Sequence, residues 1–310
     1  MNTILEKKLD AALAASLAQR PVSRFNHRSG KGYLIDMDGV IYKGSELIPG
    51  AIEFIQQLHE RNIPFMFLTN NSERSPRDLV AKLDHLGLKV SWKNFYTAAH
   101  CTADFLIRQR PKSSAFVIGE GGLLLALQEA GIAFDSIKPD YVVVGEGRLF
   151  NFELVEKAMR LIEKGSHLIA TNPDTWCPTD AGPRPGTGAL AALLESATGR
   201  KAYYLGKPNP FMFLMARSRL GLHTADTTMI GDTMETDIRG AVELGLQAYL
   251  VLTGSTKREM LVNYPYSPTQ IFESIQNVIE TLDPVTEEVK RGRRTSAKKL
   301  ERDFALEQLP

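Results

Sequence analysis

Short apolar runs separated by amphipathic segments fill the chain from Gly32 onward, and that alternation restricts the fold more than any other feature. A run too short for a helix and apolar throughout reads as a strand buried on both faces. Such strands belong to parallel sheets whose crossovers are helices. Tyr33, Leu34 and Ile35 form the first, and residues 64–68 the second. Between them Pro49 and Gly50 open a helix carrying Ile52, Ile55 and Leu58. Ser75 before Pro76 reads as a cap followed by a first helical turn, and Gly87 as the stop. Further strands are expected at 115–118, 141–144 and 167–170, then at 202–205, 228–230 and 248–252. No segment repeats at a fixed period.

With 310 residues, 43% of them hydrophobic, the chain can bury a sizeable core and favours two domains over one. Lys plus Arg is 37 against 36 for Asp plus Glu, so the net charge of +1 sets up no field that would draw nucleic acid or membrane. Cys101 and Cys177 are too few for a disulfide framework and have no paired metal-ligand spacing. No stretch approaches the roughly 20 apolar residues of a membrane span. A cytoplasmic protein is expected.

The ends differ from the middle. Leu5, Leu9, Leu13 and Leu17 share one helical face, while Glu6, Lys7, Lys8 and Asp10 interrupt the apolar run a signal peptide needs. A docked helix and a polar connector are expected over 1–31. Between Lys290 and Lys299 stand six basic residues and no aromatic, which reads as a solvated tail over 284–310 and leaves room only for weak, salt-sensitive nucleic-acid binding, so no nucleic-acid partner is expected.

Four segments carry chemistry, each at the carboxyl end of an expected strand, where α/β sheets bind ligands. The first is Asp36-Met37-Asp38-Gly39-Val40. Residues two apart share a side of an extended chain, so Asp36 and Asp38 can converge on one substrate while Met37 faces the core. In Thr69-Asn70-Asn71 a hydroxyl, an amide and backbone N–H groups suit phosphate oxygens. The third segment, Gly206-Lys207-Pro208, holds a lysine between two residues that restrict its backbone. The fourth, from Met229 to Asp237, places Asp232 and Asp237 within a turn of each other, hard oxygen ligands for a cation such as magnesium.

In order and placement these segments resemble the four motifs of the haloacid dehalogenase (HAD) superfamily. The stretches Phe67-Leu-Thr-Asn-Asn-Ser, Ala170-Thr-Asn-Pro-Asp, Pro185-Gly-Thr-Gly and Gly206-Lys-Pro are similar to signatures of its NagD-like subfamily, which includes nucleotide, pyridoxal phosphate and phosphoglycolate phosphatases. The similarity runs from about Gly32 to Leu282. It implies an α/β fold: a Rossmann-like parallel-sheet core over 32–110 and 202–283, with an inserted α/β cap domain of the C2 type over 111–201.

The resemblance also implies a mechanism. Asp36 attacks phosphorus to give an aspartyl-phosphate, and Asp38 serves as acid and then as base. Thr69, Asn70 and Lys207 hold the phosphoryl group. Asp36, the Asp38 carbonyl and Asp232 bind Mg2+, with Asp237 supporting that shell. Asp174, Trp176 and Cys177 of the cap face the substrate, and a homodimer through the cap is a further expectation. Trp176 can stack on a flat ring or anchor cap to core. Cys177 stands where the pyridoxal phosphate phosphatases tend to carry histidine. The reading favours a small ring-bearing monophosphate, nucleotide or pyridoxal phosphate, over phosphoglycolate or sugar phosphate. Intact Asp38 and Asp232 argue against a dehalogenase, and the full motif set against a non-catalytic binding protein.

Overall fold

Strands that are apolar on both faces need cover on both faces, and here they find it in two parallel sheets. The computed structural model describes residues 32–148, 150–177, 179 and 182–282. The helix expected over 1–31 and the basic tail over 284–310 lie outside them.

The larger sheet has six parallel strands in the order Gln270–Phe272, Gln247–Val251, Thr227–Gly231, Gly32–Ile35, Phe65–Thr69, Phe95–Thr97. The first strand in sequence therefore lies in the middle. Its neighbours come from opposite parts of the chain, Phe65–Thr69 on one side and Thr227–Gly231 on the other. Chain order reverses at this point, so loops far apart in sequence leave the sheet side by side, and a crevice opens between them.

The smaller sheet runs Tyr203–Tyr204, His167–Ala170, Tyr141–Val144, Ser114–Ile118, Ala133–Phe134, again all parallel. The strand at 202–205 forms as Tyr203–Tyr204, but it pairs with His167–Ala170 and closes the smaller sheet instead of opening the return to the larger one. The smaller sheet thus reaches past the boundary expected at 201. An apolar run announces a strand without naming its partner. The strands Phe95–Thr97, Ala133–Phe134 and Gln270–Phe272 are additions, each two or three residues long and each at a sheet edge.

Alternation along the central strand sorts the core. Tyr33 and Ile35 point to a cluster that includes Phe54, Ile55 and Leu58 of the helix Ala51–Glu60. Leu34 points the other way, into a cluster with Met66, Leu68, Tyr96 and Met229. That second cluster continues into Ala115, Tyr141, Val143 and Ile169 of the smaller sheet, so both sheets share one apolar body. The opposite face of the smaller sheet, Phe116, Val142 and Val144, is covered by Val155, Ala158 and Leu161 of the helix Phe152–Glu163.

The helix Pro76–His85 begins as its sequence requires. Asp78 N–H donates to Ser75 Oγ at 3.3 Å, and Ser75 N–H donates back to Asp78 Oδ2 at 2.8 Å. Among the described residues no helix is long and apolar enough to cross a membrane.

Phe54 is fully buried and meets the Tyr33 ring edge-on at 5.7 Å. Phe54→Ala is expected to lower the free energy of unfolding by about 3–5 kcal/mol, measured by urea denaturation. A loss under about 1 kcal/mol would show that the helix Ala51–Glu60 is not held through this ring.

Candidate active site

Asp36 is the first residue beyond the central strand, its backbone N–H held by the Ile230 carbonyl at 2.8 Å. Asp232 is the first residue beyond the neighbouring strand, and Asp237 returns to it one helical turn later. Thr233 N–H donates to Asp237 Oδ2 at 3.1 Å, while Ser255 N–H donates to Asp232 Oδ2 at 2.5 Å. Asp36, Asp232 and Asp237 each bring one carboxylate oxygen within 4.8 Å of the others, and all three are buried.

Two glycines make room for this arrangement. A Cβ on Gly254 would stand 1.9 Å from Asp232 Oδ2, and one on Gly39 2.7 Å from the same atom. Gly39 also has φ +81°, a conformation that other residues avoid. Asp232 is therefore seated between two stretches of bare backbone.

The counter-charge is Lys207, 2% exposed. Its Nζ lies 2.6 Å from Asp36 Oδ1 and 2.8 Å from Asp237 Oδ1. Burial disfavours an ammonium, but the Asp237 and Asp36 charges outweigh it and hold Lys207 protonated beyond its ordinary range. Three carboxylates still face one ammonium. Burial first and the Asp36 charge second push Asp232 up to about 6, and the same two causes raise Asp237 well above the usual carboxylate range. The donors are all hard oxygens in a buried, over-negative cluster, a set that fits a divalent cation of the magnesium kind.

Asp38 stands apart from this cluster. Met37 between the two aspartates is fully buried, as alternation requires. The Asp38 residue is solvent-exposed, yet its carboxyl lies against buried Tyr42, whose hydroxyl donates to Oδ2 at 3.1 Å. Protein crowded around the carboxyl, then the Asp36 charge, raise its pKa, with Lys82, Tyr42 and Lys207 acting the other way. Lys82 also sits 3.4 Å over the Tyr42 ring.

The loop after Phe65–Thr69 joins the two layers. Asn70 Oδ1 accepts from the Lys207 N–H at 2.7 Å, and Asn70 Nδ2 donates to the Lys207 carbonyl at 3.1 Å and to Asp174 Oδ2 at 3.0 Å. Thr69 is buried, its Oγ1 accepting from Asn71 N–H at 3.1 Å. Asp174 is thus drawn over Lys207. Trp176 and Cys177 follow on a short antiparallel pair with Arg184–Pro185. Trp176 is 58% exposed, so it does not anchor cap to core. Cys177 Sγ accepts from Arg184 Nε at 3.0 Å, and the same guanidinium forms an ion pair with Glu73 of the larger sheet's loop.

Several residues at this site escaped the sequence reading: Tyr42, Lys82, Glu73, Gly254, Ser255 and Glu146, while Arg184 was placed beside the substrate-facing loop without a role. Gly254 and Ser255 follow the strand Gln247–Val251, so the strand-end rule applied to every strand would have found them. Glu146 follows a strand of the smaller sheet and Arg184 belongs to the short antiparallel pair, and neither carries a local pattern.

Known proteins agree with this geometry. A model of haloacid dehalogenase-like hydrolases matches residues 33–133, and a HAD-hydrolase-like model matches 204–278. A dihydroxyacetone phosphatase of Corynebacterium glutamicum is 43% identical over 251 residues, covering 81% of this chain and 91% of its own. The ribonucleotide monophosphatase NagD of Escherichia coli K12 is 36% identical, covering 80% and 98%. Among solved structures, a p-nitrophenyl phosphatase from Archaeoglobus fulgidus superimposes with a TM-score of 0.77 at 38% identity, covering 82% of this chain and all of that one. The chain belongs to the haloacid dehalogenase family and, within it, to the NagD-like phosphatases.

Glu146 offers a test of the site's electrostatics. Burial first, and the Asp174 charge next, push its carboxyl up to about 7 from an ordinary 4.5. Folding therefore favours the protonated form. That contribution is complete below about pH 4.5 and is lost as pH rises to about 7, a change on the order of 3 kcal/mol. Glu146→Gln is expected to gain Tm over the wild type as pH is raised from 5 to 8. A Tm difference that stays flat across that range would contradict the assignment.

Proposed function

We propose that this phosphatase is a Mg2+-dependent phosphomonoester hydrolase that works through an aspartyl-phosphate on Asp36. One observation carries the reading: the Asp36 carboxylate is buried beside the Lys207 ammonium at 2.6 Å, at the edge of an all-oxygen cluster completed by Asp232 and Asp237. A nucleophile of this kind must meet an anionic phosphate. Each like-charge pair at about 4 Å costs on the order of 4 kcal/mol at an effective dielectric of about 20. Lys207 offsets part of that repulsion. Asp36, Asp232 and the Asp38 carbonyl, supported by Asp237, would hold a divalent cation, which would supply the remaining charge compensation for the phosphoryl oxygens.

In the first step an Asp36 oxygen forms a bond to phosphorus as the bond to the leaving oxygen breaks, and Asp38 gives that oxygen its proton. The raised Asp38 carboxyl keeps a proton to higher pH than an ordinary aspartate, which suits an acid. In the second step Asp38, now ionised, takes a proton from water as the water oxygen bonds to phosphorus. Phosphate leaves and Asp36 is restored. Thr69, Asn70 and Lys207 position the phosphoryl group, because such transfers depend chiefly on alignment and charge. The two unpaired cysteines support a reducing, cytoplasmic setting.

For the leaving group we favour a small hydroxylated alcohol, of the triose or sugar phosphate kind. Asp174, Asn70 and Arg184 present polar groups where the smaller sheet's loops close over Lys207, and they suit hydroxyls better than an apolar ring. The dihydroxyacetone phosphatase relative points the same way. A ring-bearing monophosphate is the second reading, supported by the exposed face of Trp176. A panel comparing kcat/KM for dihydroxyacetone phosphate, sugar phosphates, nucleoside monophosphates and pyridoxal phosphate separates the two, and a clear lead for the ring-bearing esters would reverse the preference.

Asp36→Asn is expected to fold, by circular dichroism, and to lose turnover by a factor of at least about 1,000. Phosphate release by the wild type should likewise vanish with EDTA and return with added Mg2+. Near-normal activity in Asp36→Asn would remove it as the nucleophile.

A further inference from the structure

Glu146 is a buried carboxylate for which the reaction above has no task. It follows the strand Tyr141–Val144 and is 8% exposed. Asn71 Nδ2 donates to its Oε2 at 2.9 Å, and Asn172 Nδ2 to its Oε1 at 3.3 Å. Its backbone N–H is bonded to Ser72 Oγ at 2.9 Å, and its carbonyl accepts from Glu120 N–H at 3.2 Å. Asn71 and Ser72 lie on the loop after Phe65–Thr69 in the larger sheet, and Asn172 on the loop after His167–Ala170 in the smaller one. Two strand-end loops, one from each sheet, therefore converge on a side chain that itself stands on a third.

The bonds continue to the reacting groups. Asn172 Nδ2 also donates to the Asn70 carbonyl at 2.8 Å, and its Oδ1 accepts from Asp174 N–H at 3.1 Å. Asn70 in turn grips Lys207 and Asp174. An unbroken path of hydrogen bonds leads from Glu146 through Asn172 and Asn70 to the lysine that faces Asp36.

We propose that Glu146 is a positioning residue for phosphoryl transfer: by accepting from Asn71 and Asn172 together, it fixes the phosphate-binding loop at Asn70 and the substrate-facing loop at Asp174 in one register. It touches neither substrate nor the reacting atoms. The proposal rests on the phosphatase reading given above. A carboxylate is an expensive way to hold two loops together, since burial and the Asp174 and Glu73 charges oppose its ionisation, with Arg184 and the Asn172 amide in partial support. Cys177 lies in the same field. A neutral side chain would give cohesion without that cost. What the carboxylate alone provides is two acceptor oxygens for two amide donors at once. Gln in its place turns an N–H2 group toward one of those donors, and Ala removes both acceptors.

The test compares wild type, Glu146→Gln and Glu146→Ala in full-length protein with Mg2+, using p-nitrophenyl phosphate and dihydroxyacetone phosphate, from pH 5.5 to 8.5, with Tm measured alongside. Glu146→Gln is expected to lose at least about 10-fold in kcat/KM, and Glu146→Ala more, as small misplacements of aligned groups do. At pH 8 the Tm of Glu146→Gln should equal or exceed that of the wild type. The wild-type kcat/KM should rise through an ionisation near pH 7 that Glu146→Gln lacks. Activity and stability moving in opposite directions is the signature of positioning. Equal kcat/KM and an unchanged pH profile in Glu146→Gln, or a loss of activity that tracks a loss of Tm in both variants, would overturn the proposal while leaving the phosphatase reading intact. A wild type that releases phosphate from none of these esters nor from the sugar, nucleoside and pyridoxal phosphates would remove that reading, and this inference with it.

Discussion

A single ammonium group, closed off from solvent between two carboxylates, sets the terms for the whole site. Lys207 is positive because Asp36 and Asp237 are there, and those carboxylates can stay buried because Lys207 is there. Removing one member of such a set costs about 3–5 kcal/mol, since it strands the charge that is left. The backbone is cut to fit. A Cβ on Gly206 would fall 2.6 Å from both the Thr171 carbonyl and Asn70 Oδ1, so only glycine lets the chain pass between the two layers and deliver the lysine. The fold's central reversal of strand order, which sets the Asp36 and Asp232 loops side by side, is the large-scale counterpart of that local fit.

Much of this was legible in the sequence, for identifiable reasons. Residues 141–144 and 167–170 are apolar runs of the right length between polar turns, and they form strands with those bounds. Asp36 and Asp38 flank Met37, and period-two alternation alone predicted that Met37 would be buried. The structure also brings Asp36, Lys207, Asp232 and Asp237 to one place, as their shared position at strand ends implies. Periodicity has no information about partners, however. Tyr203–Tyr204 was recognised as a strand and assigned to the wrong sheet, because pairing with His167–Ala170 is a tertiary fact. Phe95–Thr97 is only three residues long and gives no periodic signal. Glu146 and Arg184 are single charged residues whose meaning lies in what approaches them, and Trp176 read as a stacking platform or, somewhat better, as a cap anchor, against which its exposure speaks.

The seam between the two sheets is built from two materials with different tolerances. Its apolar part, where Leu34 and Met66 share a cluster with Tyr141 and Ile169, is non-directional and accepts small slips. Its polar part, Asn70, Asn71, Asn172, Asp174 and Glu146, is directional, and a slip of about 1 Å breaks its bonds. The apolar body provides cohesion, while the amides and carboxylates decide where the loops stand. Division of labour of this kind explains why costly buried acids persist at a boundary that hydrophobic contact alone would close.

The last strand of the smaller sheet ends at Tyr204, and Lys207 follows after only Leu205 and Gly206. Three residues span at most about 10 Å. The upper layer is therefore moored to the charged centre by a strut with almost no slack, and Leu205 is itself sunk in the shared apolar body.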